Sequence, residues 1–246
     1  MFYDLSAIEL IVIGVAAFAT AVMGGVAGIG TAIAMIPVMA FIIGVRDAVP
    51  LVTVAITLNN FGRIWANWRP IDWRVVVWFS LGAIPLSVLG GIAFANAPAD
   101  LLARSLAVFL IALVVYRHLP IGRGTSFTNV RWFSAVGGAQ GFLSSIFGGA
   151  GPFGAHFFLA YGLYRNAFVG TTAVATTSIN FAKAGTYAKF ALIGADALLL
   201  GLIVGIIMVA GAYVGGRLVS RVPDRLFVYI VEGVMLAAAA GLLVEG

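Results

Sequence analysis

Four glycines fall within seven residues at 24–30 (GGVAGIG) and again at 148–154 (GGAGPFG), each time inside otherwise apolar chain. A glycine cluster stops an apolar helix and frees backbone N–H and C=O groups. In hydrocarbon such groups must be paired or must line a wet, protein-walled cavity. The helix that restarts after the break turns its N–H groups and positive dipole end toward that cavity, which stabilises an anion by about 0.3–2 kcal/mol. Gly24, Gly25, Gly28, Gly30 and Thr31 are therefore candidate substrate-binding positions, as are Gly148, Gly149, Gly151 and Gly154. Thr31 and Gly154 are placed to open the half-helices. The competing reading is a close-packing surface, since small residues let membrane helices approach. Duplication of the break, with Pro152 inside the second, favours the site.

The next concentration of polarity lies downstream of each break. Thr53, Thr57, Asn59, Asn60 and Arg63 in the first half are matched by Thr171, Thr172, Thr176, Thr177, Ser178, Asn180 and Lys183 in the second. An arginine or lysine within the membrane costs roughly 2.5–3.5 kcal/mol and should face a cavity or a counter-charge. Two cations at corresponding positions point to an anion path, to which Asn, Thr and Ser side chains donate hydrogen bonds without adding charge. Thr57, Asn59, Asn60, Arg63, Thr176, Ser178, Asn180 and Lys183 complete the candidate set. Snorkelling of Arg63 and Lys183 to the interface is the alternative.

Other polar residues carry less. His156 follows the second break and reads as structural, His118 as solvated in a central loop, and Glu232 as the partner of a buried cation or a proton-coupling group. Trp65, Trp68, Trp73 and Trp78 around a basic joint read as an interfacial belt. Neither a Gly-x-Ser-x-Gly nor a His-Glu-x-x-His motif is present, so an enzyme is not expected, nor is a cofactor or metal; intramembrane hydrolysis through Ser178 and His156 is the weak alternative. The absence of cysteine removes disulfides and thiolate ligands.

The elements that must position these residues follow from composition. The 246 residues are 62% hydrophobic and 9% charged, with a mean hydropathy of +1.10, which marks an all-α integral membrane protein whose partner is the lipid bilayer. Strands alternating over ten residues are absent, so a barrel is not expected. The formal charge of +5 is scattered at segment ends, which points to topology rather than nucleic acid. Asp4 and Glu9 at the N-terminus are wrong for a secretory signal, and 8–23 reads as a retained helix.

Ten apolar segments emerge: 8–23, 30–44, 50–66, 75–95 and 101–116, then 132–147, 152–164, 168–188, 197–216 and 225–244. They form two copies of one plan. At an offset of 124, Phe18, Gly24, Gly25 and Gly30 fall on Phe142, Gly148, Gly149 and Gly154; at 120, Asn60 and Arg63 fall on Asn180 and Lys183; at 125, Gly90-Gly91 falls on Gly215-Gly216. The expected division is a first membrane repeat at 1–116, a basic cytoplasmic linker at 117–131 and a second repeat at 132–246.

Charge decides their relative orientation. If all ten segments cross, nine cations (Arg69, Arg74, Arg117, Arg123, Arg131, Arg165, Arg217, Arg221 and Arg225) share one side, against Arg46, Arg104 and Lys189 on the other. If only the short second segments fail to cross, the same residues divide evenly, against the positive-inside tendency. An odd number of crossings per repeat follows, giving inverted-topology repeats with both termini outside. Re-entrant hairpins at the glycine breaks satisfy the same count, so the expectation is six to ten crossings.

Together these residues resemble the sulfite exporter TauE/SafE family of prokaryotic membrane permeases, across about Ile8 to Val244. The resemblance rests on Gly24-Gly25 with Gly28, Gly30 and Pro37, on Gly148-Gly149-x-Gly151-Pro152, on Val169-Gly170-Thr171-Thr172-Ala173-x-Ala175-Thr176, and on the basic joint Trp68 to Arg74. Leu51-Val52-Thr53-Val54 departs from the family's Thr/Ser-rich run. The resemblance implies export of sulfite or a small organosulfonate across the cytoplasmic (inner) membrane. An inside-negative potential drives an anion out by about 2.3 kcal/mol per charge per 100 mV. A secondary transporter working by alternating access is the expectation; a permease for another solute such as a carboxylate, or an anion channel, shares these features.

Overall fold

The computed structural model describes residues 3, 5–27, 31–118 and 128–218, together with 233, 236 and 239–241. Among them run nine α-helices: α1 Ala7–Ala27, α2 Thr31–Ile43, α3 Val45–Ala66, α4 Trp73–Asn96, α5 Ala99–His118, α6 Phe133–Phe147, α7 Gly151–Ala160, α8 Arg165–Lys189 and α9 Ala195–Leu218. Gly28 and Gly30, residues 119–127 of the expected linker, and Glu232 with most of the tenth segment lie outside the described residues.

Length sorts these helices. α4, Ala99–Tyr116 of α5, and Ala195–Gly215 of α9 are long and apolar enough to cross a membrane. Exposed apolar side chains such as Leu81, Val108 and Ile206 cover them, as a lipid-facing surface requires. By contrast α2, with 13 residues, and α7, with 10, extend roughly 20 and 15 Å, well short of the ~30 Å of hydrocarbon. α6, at 15 residues, reaches roughly 22 Å. The second break thus joins two helices that are each too short to cross alone.

Packing joins the halves rather than separating them. α4 packs on α6, and α1 packs on α9; α8 lies against α4, and α3 against α9; α3 and α8 meet between them. Exchanging each helix for its counterpart in the other half, α1 for α6, α3 for α8 and α4 for α9, carries every one of these pairs onto another or onto itself. The close pairs need glycine. A Cβ on Gly137 of α6 would run into the Phe79 carbonyl of α4, and one on Gly215 of α9 into the Val22 carbonyl of α1, so backbone meets backbone as small-residue membrane packing requires.

Two apolar cores result. One draws Ile13, Met35, Val52, Leu106 and Val204 from α1, α2, α3, α5 and α9; the other draws Phe79, Phe133, Phe158, Phe168 and Ile179 from α4, α6, α7 and α8. Asn60 of α3 and Thr176 of α8 meet where these two helices cross.

Boundaries shift where a breaker is not a terminus. The sequence suggests that α3 starts at Pro50, but it begins at Val45, with Pro50 in its second turn, and Gly44 at φ 79° supplies the break from α2. α4 starts where the Asp72 carboxylate accepts from Arg74 N (3.0 Å) and Val75 N (3.2 Å). Asp72 N donates to Thr171 Oγ1 at 3.0 Å, tying the basic joint to α8. Trp68 and Trp73 pack edge-to-face at 5.2 Å, and Arg131 lies 5.8 Å from the Trp78 ring.

Candidate functional site

α6 stops at Gly148 because that residue takes a left-handed conformation, φ 79° and ψ −23°. Only glycine enters that region without strain, and the Ile36 side chain also occupies the space a Cβ would need. The chain then turns through Gly149 and Ala150 into α7. Ser144 Oγ holds the turn by accepting from Ala150 N at 3.0 Å.

Lys183 of α8, 1% exposed, reaches this junction. Its Nζ donates to the Gly148 carbonyl at 2.9 Å and to the Ser144 carbonyl at 3.4 Å. These are the last carbonyls of α6, the partially negative end of the helix, so the ammonium caps them and offsets their dipole. Of its three donors one remains.

α3 and α8 are tied beside it. Asn60 Nδ2 donates to Thr176 Oγ1 at 3.1 Å, and Arg63 Nη1 donates to Asn60 Oδ1 at 3.4 Å. The Thr176 hydroxyl sends its own proton back to the Thr172 carbonyl at 2.7 Å, a helical back-bond that leaves its oxygen free only to accept.

Around these groups lies a cavity of about 70 Å³, where about 10–15 Å³ already admits a water molecule; it therefore suits a few waters or one small oxyanion. Its wall includes the start of α2 at Thr31, Asn59, Asn60 and Arg63 of α3, the turn Gly148–Gly151, and Thr176, Asn180 and Lys183 of α8. Ten of the seventeen residues singled out from the sequence thus converge on one place.

Of the others, Gly28 and Gly30 lie outside the described residues, and the remaining five are not among the described wall residues. Gly24 packs directly against the Thr31 side chain, and Gly154 against the carboxamide of Gln140, so each backs a wall residue. Gly25 belongs to α1. Thr57 bonds back to the Thr53 carbonyl at 2.7 Å. Ser178 donates to the Ala175 carbonyl at 2.7 Å and accepts from Ser80 of α4 at 3.1 Å, so it serves the α4–α8 contact and not the cavity. His156 lies edge-on to Phe157, 5.9 Å between ring centres. Gln140, Ser144 and Thr172 line the cavity without having been singled out as candidates from the sequence. Gln140 falls opposite Ala16 at the offset of 124, so a search for matched polar positions passes over it.

Among the described residues the wall carries two cations and no carboxylate, an arrangement that attracts a small anion and offers it amide donors. A model of the family described as Sulfite exporter TauE/SafE matches residues 13–242, nearly the whole chain. No curated protein and no solved structure shows a significant match.

Proposed function

The chain belongs to the sulfite exporter TauE/SafE family, and on that premise we propose that it exports a small oxyanion, sulfite or an organosulfonate, across the cytoplasmic membrane as a secondary transporter. The observation that carries this reading is the cavity at the crossing of α3 and α8, where Arg63, Lys183 and the second glycine break meet with no carboxylate among the described wall residues. Arg63 supplies attraction from a half-buried position, and Asn60 and Asn180 supply side-chain donors. At the start of α7 the Gly151 N–H, which the helix's own hydrogen-bond ladder leaves over, supplies a backbone donor at the cavity wall. Alternating access comes from rocking two inverted repeats about this crossing, an orientation that the arginine distribution along the sequence supports.

Proteoliposomes loaded with sulfite provide the test. Efflux should be driven by an imposed potential and should fall at least tenfold in Arg63→Ala while Arg63→Lys keeps a measurable part of it. Undiminished efflux in Arg63→Ala would remove the arginine from the mechanism; no sulfite or sulfonate flux in the wild type would remove the substrate class.

A further inference from the structure

Three carboxamides around the cavity stand out. Asn59 and Gln140 are 2% exposed and Asn180 is 5% exposed, and all three line the same small space. Asn59 Oδ1, Gln140 Oε1 and Asn180 Nδ2 are buried without a hydrogen-bond partner. Orphaned buried amides are rare in a folded protein, because each forfeits the hydrogen bonds it made with water. Three around one cavity mark a place where a ligand supplies the missing partners.

Each carboxamide offers an acceptor oxygen as well as N–H donors. A fully deprotonated dianion accepts hydrogen bonds but cannot donate them, so it leaves the amide oxygens unpaired and facing negative charge. Arg63 and Lys183 provide two formal charges, but the Lys183 ammonium is already directed at the carbonyl end of α6, which lowers its hold on a second negative charge. On the reading that this cavity binds an oxyanion, we infer that the orphaned oxygens of Asn59 and Gln140 make it selective for a monoanion carrying its own O–H or N–H donor, a hydrogen-oxyanion or an amino- or hydroxy-substituted one, over a donor-free monoanion or a dianion, while Asn180 Nδ2 donates to the oxyanion itself. Gln140 is the residue most directly placed for this: it lines the cavity with its oxygen unpartnered, and α7 passes so close that a Cβ at position 154 would displace its carboxamide.

Three probes of nearly the same tetrahedral size separate the possibilities: sulfamate (monoanion with N–H donors), methanesulfonate (monoanion without) and sulfate (dianion). Calorimetric titration of the full chain in nanodiscs, at fixed pH and ionic strength, should show sulfamate binding about tenfold or more tighter than methanesulfonate, with sulfate weakest. In Gln140→Leu the sulfamate-to-methanesulfonate ratio should fall toward one. Equal binding of sulfamate and methanesulfonate by the wild type, or sulfate binding tightest, overturns the selectivity without touching the oxyanion reading, and needs no variant to fold. If neither these three nor sulfite binds, the oxyanion reading itself fails and takes the selectivity with it.

Discussion

Lys183 shows how a residue singled out for ligand chemistry also carries the fold. Its Nζ closes the last carbonyls of α6 at Gly148 and Ser144. Lys183→Ala therefore leaves two buried acceptors without that partner, at a cost of about 1–3 kcal/mol each. The expected outcome is a clear fall in the thermal midpoint of the ligand-free protein in detergent, larger than that of Arg63→Ala. Wild-type stability in Lys183→Ala would mean that the carbonyls do not depend on it. The sequence made Lys183 conspicuous through its match to Arg63, but it could not show that the cation faces a helix end, because carbonyl partners leave no trace in residue type. Thr57 and Ser178 were conspicuous for the same compositional reason, yet their hydroxyls bond to carbonyls one turn back. Gln140, a lone amide in an apolar helix, became recognisable only when α7 and α8 closed around it.

At the scale of elements, glycine does two different jobs that the sequence presents alike. Gly148 is required by its backbone: at φ 79° an alanine is strained and also meets Ile36. Gly148→Ala should lower stability by about 1–3 kcal/mol and unseat the α6–α7 turn. Gly185 of α8 has nothing within 4 Å of the position a Cβ would take. Gly185→Ala in that helix should be neutral or stabilising, by up to about 1 kcal/mol. Equal thermal midpoints for the two variants would contradict the distinction. Helix existence and order were legible in hydropathy, since each apolar run from 8 to 216 became a helix. Helix ends were less so, as Pro50 illustrates: it lacks an N–H and so withholds one bond from the Arg46 carbonyl, yet α3 runs through it from Val45.

For the molecule as a whole, the question is how the two halves are oriented. Their similarity was legible from shared landmarks, and the pairing of α1 with α9 and of α6 with α4 fits an exchange of halves. Such pairing alone does not distinguish parallel from inverted copies, whereas the arginine distribution does favour inversion. Equivalent joints give a direct test. The turn between α3 and α4 contains Arg69, and the corresponding turn between α8 and α9 contains Ala191, both exposed. In parallel repeats these joints emerge on one side of the membrane; in inverted repeats they emerge on opposite sides. The chain has no cysteine, so Arg69→Cys and Ala191→Cys each create a single reporter. With a membrane-impermeant maleimide on intact cells, Ala191→Cys should label from outside, whereas Arg69→Cys should label only after the membrane is opened. Labelling of both from the same side would rule out inversion and, with it, a transport cycle built on two inverted repeats.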